Sequence, residues 1–155
     1  MEQHINTFKA AISTFCAALT ALWGWFGWLC GLWVFCMTVD YITGSAAAIR
    51  AGEWSSKAAR DGIWHKLGSI VAVLVASILD VTIGMILDNI PSVPLPFDYT
   101  VFFAPLVVIW YILAECGSMI ENAATLGTDV PPWLAKALAV LRDKVDDMGG
   151  KEDDA

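Results

Sequence analysis

Charge is what this chain has least of. Charged residues make up 16% of its 155 residues and apolar residues 57%, where ordinary soluble domains carry about 25% and roughly 45–50%. The few charges gather in the connections and the tail, and the long apolar runs hold almost none. That pattern excludes a water-soluble globule and predicts an integral membrane protein. Basic residues are scarcer still, and the net charge of −7 excludes a nucleic-acid binder that works by neutralising phosphates. The two histidines, His4 and His65, are isolated and read as interfacial side chains. Cys16, Cys30, Cys36 and Cys116 all lie in apolar stretches and form no C-x-x-C pair, so neither a disulfide framework nor a metal site is expected. No G-x-S-x-G, H-E-x-x-H or phosphate-loop motif occurs. Gly24-Trp25-Phe26-Gly27 follows no strand, which removes a nucleotide-loop reading. No enzyme activity, no cofactor and no metal are expected.

Tryptophan and long apolar runs are what the chain has in excess, with eight Trp in all. Residues 5–48 form an apolar block too long for one ordinary crossing, since about 20 residues span the hydrocarbon. Its middle reads Trp23-Gly24-Trp25-Phe26-Gly27-Trp28. Glycine weakens a helix and tryptophan favours the membrane–water interface. The spacing therefore predicts a break near Gly24–Gly27, with helices over 3–22 and 28–48; one long tilted helix is the alternative. The first helix starts polar, with Glu2, Gln3, His4, Asn6 and Lys9. Phe8, Ile12, Phe15 and Leu19 recur at helical spacing, so it either lies in the interface or crosses. A single lysine argues against a signal peptide.

Residues 49–66 read as a polar connection, 67–87 as the second clear span, 88–98 as a proline-rich turn and 99–120 as the third span. In lipid the backbone must bond within its own segment, which makes helices of all three spans. Pro105 reads as a kink or an early-turn residue. After a polar loop at 121–131, Leu134, Leu138, Leu141, Val145 and Met148 fall on one stripe of a helix over 133–148. Lys136, Arg142, Asp143, Lys144, Asp146 and Asp147 lie off that stripe. The stripe suits lipid headgroups, a copy of itself, or the chain's own bundle. The expected architecture is all-α, with a membrane domain over 1–132 and a cytoplasmic amphipathic helix plus acidic tail over 133–155. Lys/Arg bias sets the orientation. The connection 49–66 and the C-terminal segment are basic and face the cytoplasm, whereas 88–98 has no Lys or Arg and faces outward.

The informative residues are polar groups inside the spans. Asp40, Asp80 and Glu115 would each cost about 2.5–3.5 kcal/mol at mid-bilayer. Asp40, Thr43 and Gly44 share one helix face, Glu115, Ser118 and Asn122 another, and Ser69, Ser77 and Asp80 add polar groups to the second span. Such strips either meet inside one bundle or line water in an assembly. The carboxylates could bond neighbouring hydroxyls, pair with Lys57, Arg60 or Lys66 at the cytoplasmic edge, serve as an ion or proton relay, or form a water-lined assembly surface. With no cation inside the spans to neutralise it, Asp80 is expected to be protonated or water-exposed.

These residues also carry a resemblance. Asp40-Tyr41-Ile42-Thr43-Gly44 is followed by Ser55-Ser56-Lys57, Gly62 and Lys66. Then come Glu115, Ser118, Glu121 and Asn122, with Gly127, Pro131 and Leu134 after them. Over about residues 28–142 this order resembles the phage-lysis and toxin-secretion holins of Gram-positive bacteria and their phages. The resemblance implies a small non-enzymatic protein of the bacterial cytoplasmic membrane. Such a protein oligomerises and opens lesions that release a cell-wall hydrolase (endolysin) or a toxin. Its shared features correspond to Glu115, Ser118, Glu121 and Asn122 here. The chain departs from the family's habit in a thinner basic run after Ser55-Ser56-Lys57 and in an acidic tail.

The expected pore or assembly residues are thus Asp40, Thr43, Gly44, Asp80, Glu115, Ser118, Glu121 and Asn122. Ser55, Ser56, Lys57, Gly62 and Lys66 are expected in a cytoplasmic loop. Partners are membrane lipid, further copies of the chain and, functionally, a murein hydrolase. A small ion- or proton-coupled transporter or channel subunit is the alternative, and a membrane scaffold that recruits a soluble partner is a third.

Overall fold

The computed structural model describes residues 2–90 and 101–150. Most of the proline-rich turn, 91–98, and the acidic residues of the tail, 152–154, lie outside the described residues. So do the side chains of Phe15 and Leu19. The described residues form helices only: α1 (Glu2–Ala51), α2 (Ser56–Asn89), α3 (Phe103–Thr125) and α4 (Pro132–Gly149). Three stretches are long and apolar enough to cross a membrane, namely Gly24–Ala51, Ser56–Asn89 and Phe103–Thr125. The expected all-helical membrane architecture therefore holds.

The break in the first block falls at Gly24, whose φ of 54° and ψ of −139° leave the helix. Only glycine adopts that backbone without strain. Across the break Trp28 Nε1 donates to Thr20 Oγ1 at 2.8 Å, so the indole ties the two segments together.

The helix ends are local chemistry. α1 stops at Gly52, where φ is 73°. There Gly52 N donates to Ile49 O and Glu53 N to Ala48 O, at 3.1 and 3.0 Å, the paired bonds that close a helix on a left-handed glycine. Three residues later Ser55 accepts from Ala58 N at 3.1 Å and caps α2. The sequence reading expects the second helix only from 67, because it follows the apolar run. The cap starts it at Ser56 instead. Ser56, Lys57, Gly62 and Lys66, expected in a loop, are therefore helical, and only Ser55 lies in the connection. α3 begins at Phe103 and runs to Thr125, a few residues later at both ends than expected. Pro105 sits in its first turn, where the missing N–H breaks no helical bond. Gly127, with φ 88°, ends α3 through the same paired bonds, Gly127 N to Ala124 O and Thr128 N to Ala123 O. Pro132 then opens α4.

Cross-helix pairs fix the topology. Trp33 meets Tyr111, Thr43 meets Asn122, and Arg50 approaches Gly127. The sequence offset is nearly constant, so α1 and α3 run parallel. Lys66 with Glu115 and Asp80 with Ala104 keep a nearly constant sum instead, so α2 runs antiparallel to α3. Trp110 with Asp146 and Leu106 with Gly149 make α4 antiparallel as well. α3 is the hub, while α1 and α2 barely touch.

The core lies where the three long helices meet. Trp33, Met37, Val73 and Val108 are buried together, and Trp33 stacks on Tyr111 with ring centroids 5.9 Å apart. Small buried residues, Ala47, Ala76 and Ala104, let the backbones approach, as lipid-embedded helices require. The outer faces stay apolar. Val34, Phe35, Ile42 and Ile49 on α1 and Val71, Leu74, Ile78 and Val81 on α2 are exposed. In water such a surface would aggregate; in hydrocarbon it is the solvated one.

Candidate functional site

The inward face of α2 reads Lys66, Ser69, Val73, Ala76, Asp80. Of these, Ser69, Val73, Ala76 and Asp80 are buried. This helical stripe is apolar in the middle and charged at both ends, and each end is satisfied by a different neighbour.

At the end near the α1–α2 turn, Lys66 Nζ stands 2.9 Å from Asp40 Oδ2 and 2.5 Å from Glu115 Oε2. One ammonium thus joins α1, α2 and α3. Asn122 completes the cluster, its Nδ2 donating to Asp40 Oδ1 at 3.0 Å and to Thr43 Oγ1 at 3.2 Å. Thr43 in turn donates to Val39 O at 2.9 Å. Gly44 faces the same amide: a Cβ there would lie 3.4 Å from Asn122 Nδ2, an ordinary contact. Two carboxylates against one ammonium leave the cluster with a formal charge of −1. Its side chains are only partly exposed, 20% for Lys66 and 11% for Glu115. Losing one partner from such a desolvated network costs about 3–5 kcal/mol, because a charge is left uncompensated.

At the opposite end Asp80 is 3% exposed. Its Oδ1 accepts from Phe102 N at 3.1 Å and Phe103 N at 2.9 Å, and its Oδ2 accepts from Ala104 N at 2.7 Å. The carboxyl of α2 thereby caps the N-terminus of α3, where unpaired N–H groups and the helix dipole favour an acceptor. The expectation of a water-exposed or protonated Asp80 rested on the absence of a cation. The compensation comes from peptide N–H groups instead, which a search for side-chain partners cannot find.

The structure therefore brings together Asp40, Thr43, Gly44, Lys66, Glu115 and Asn122, and it sets Asp80 apart as a cap. Pairing with Lys66 at the end of the spans, one of the alternatives read from sequence, is the arrangement present. A cavity of about 630 Å³ adjoins the cluster and is lined by Ser55, Gly62, Lys66, Glu115, Ser118 and Arg142, among others. Ser56, Lys57 and Glu121 are exposed and take no part in the cluster. Among the described residues no group of acidic, histidine and cysteine side chains could hold a metal ion.

Two features escape sequence reasoning. Trp110 Nε1 donates to Asp146 Oδ1 at 2.7 Å, and Arg142 lies over the Trp110 ring, 4.3 Å from its centroid. These contacts fold α4 back along α3. Arg142 and Asp146 sit at i and i+4 on α4, a visible signal, but nothing in the sequence marks Trp110 as their partner. The thiols of Cys36 and Cys116 also lie near each other across the α1–α3 interface, a proximity that follows from the parallel register and not from any Cys spacing.

The sequence pattern of the bacteriophage holin family matches residues 17–143. An uncharacterised 14.9 kDa protein from the nagH 3' region of Clostridium perfringens is 34% identical over 145 residues, covering 93% of this chain and 99% of its own. An uncharacterised protein of Halalkalibacterium halodurans is 28% identical, over 86% of this chain and 93% of its own. A second uncharacterised protein of Clostridium perfringens is 32% identical, over 77% and 84%. No solved structure matches the chain.

Proposed function

The chain belongs to the bacteriophage holin family, and from that premise we propose that it oligomerises in the bacterial cytoplasmic membrane and opens lesions that release a murein hydrolase or a toxin. The family is not enzymatic, and three of the helices are long and apolar enough to cross a membrane. The reading includes a membrane domain over 1–132 and a C-terminal helix and tail over 133–155 that start from the cytoplasmic side. Docked along α3, α4 carries Gly149 to the level of Leu106 toward the opposite end of that span, so a cytoplasmic C-terminus requires α4 to leave α3. Gly52 and Gly127 close α1 and α3 at the same end of the bundle, which suits a basic cytoplasmic side there.

The observation that carries the reading is the Lys66 cluster. It pairs Asp40 and Thr43 of α1, Lys66 of α2, and Glu115 and Asn122 of α3 inside one chain, and Asp80 is held separately by the α3 backbone, so a single copy can rest in lipid without a pore. What lipid still solvates poorly is the charged surface of α4, together with the few polar side chains, Lys66, Glu115 and Ser118 among them, on the otherwise mostly apolar wall of the cavity. Self-association that wets or covers these surfaces gives a physical reason for lesions to appear only above a membrane concentration. The transporter reading needs carboxylates available to an ion. Asp40 and Glu115 are already held by Lys66, and Asp80 by the α3 N-terminus, which speaks against it.

The test is induction in a bacterium with and without a co-expressed wall hydrolase. The expected result is a sudden loss of membrane potential in both cultures, with collapse of turbidity only where the hydrolase is present. Saturable ion flux with no loss of viability would reverse the choice in favour of the transporter.

A further inference from the structure

α4 lies antiparallel along α3, with Gly149 reaching the level of Leu106 near the far end of that span. Its contact is thin. No α4 residue is fully buried, and only Leu134, Leu138 and Val145 are half-buried. Its polar fastening is the clasp on Trp110, hydrogen-bonded by Asp146 at 2.7 Å and covered by Arg142 at 4.3 Å. Arg142 also forms part of the wall of the cavity next to Lys66 and Glu115. Meanwhile Lys136, Asp143 and Lys144 remain exposed alongside a helix that spans hydrocarbon. Charges at that depth need water or protein around them. The docked position is thus one that a bilayer disfavours and the clasp retains.

We propose that α4 is an autoinhibitory strap: the Arg142–Trp110–Asp146 clasp holds it over the α3 face and the cavity mouth, and its release to the cytoplasmic side frees that surface for a second copy of the chain. The inference rests on the self-associating reading above, and deepens it by naming the contact that keeps copies apart. The hinge is the segment between the closing glycine of α3, Gly127, and Pro132 at the start of α4. α4 then has two sites, α3 or the headgroup layer, and its amphipathic stripe suits both.

The test uses the full chain with Cys16, Cys30, Cys36 and Cys116 changed to alanine. Leu106→Cys and Gly149→Cys are added, since a Cβ on Gly149 would lie 3.8 Å from Leu106 Cδ2 when α4 is docked. The chain is placed in vesicles of phosphatidylglycerol and phosphatidylethanolamine, and copies per assembly are counted by photobleaching. Oxidation should lock the strap and leave single copies, and reduction should restore assemblies. Independently, Trp110→Phe, which keeps the ring and loses the N–H, should reach half-assembly at about tenfold fewer chains per lipid, as expected for loss of a hydrogen bond to a charged group. A lock that does not form, locked chains that assemble like reduced ones, or a Trp110→Phe chain with the parent's threshold would each overturn the strap. Reduced chains that assemble but release no protein-sized dye would leave the strap standing and remove the lesion-forming function.

Discussion

Asp80 on α2 accepts the backbone N–H of Ala104 on α3 at 2.7 Å, so a carboxylate of one membrane helix is the N-cap of the next. The same carboxyl takes Phe102 N and Phe103 N. Asp80→Ala strips three donors of their acceptor at a buried site, and should lower stability in detergent micelles by about 3 kcal/mol or more. Asp80→Asn keeps one carbonyl oxygen and should lose clearly less. Equal losses in chemical denaturation would show that the cap does not hold α3.

Lys66 is the only cation in contact with Asp40 and Glu115 among the described residues. Lys66→Met should cost about 3–5 kcal/mol, since two carboxylates are left facing each other. Adding Glu115→Gln to Lys66→Met should recover part of that loss, a coupling that a double-mutant cycle measures directly. Additive effects would contradict a shared network. In cells, Glu115→Gln alone should shift the time at which the membrane potential falls.

Much of this arrangement is legible in the sequence. Apolar runs place the three spans, and Trp23 to Trp28 with their glycines place the break at Gly24. Asp40, Thr43, Gly44, Glu115 and Asn122 stand out because polar groups in hydrocarbon need a reason. Three things are not legible. The start of α2 at Ser56 depends on a serine cap outside the apolar run. The partner of Asp80 is a set of peptide N–H groups, which no side-chain pattern announces. The position of α4 depends on Trp110, whose indole looks in sequence like any other interfacial tryptophan.

Gly127 closes α3 with φ 88°, and a Cβ there would come within 3.2 Å of Arg50 Nη2. Gly127→Ala should therefore cost about 1–2 kcal/mol, from a left-handed backbone that alanine resists and from displacement of the guanidinium. Gly44→Ala meets Asn122 only at ordinary contact distance, 3.4 Å, and should be far milder. Thermal melts of the two variants in one detergent check the order.

The proximity of Cys36 and Cys116 predicts a cross-link that the sequence does not suggest. Mild oxidation of the purified chain by a copper–phenanthroline complex should remove both thiol hydrogens and join α1 to α3 within one chain. Peptide mapping should find Cys36 and Cys116 linked, with no bond from either to Cys16. A link from Cys116 to Cys16 within one chain, with none to Cys36, would contradict the parallel register of α1 on α3.

The central claim is that single copies rest sealed in lipid and that crowding converts them into lesions. It is tested most directly by release of a fluorescent protein from vesicles as the chain-to-lipid ratio is raised. The account predicts no release at low ratio, then a steep onset within a narrow range of ratios. Release that rises in proportion from the first chains added, or leakage of small ions alone at every ratio, would contradict it.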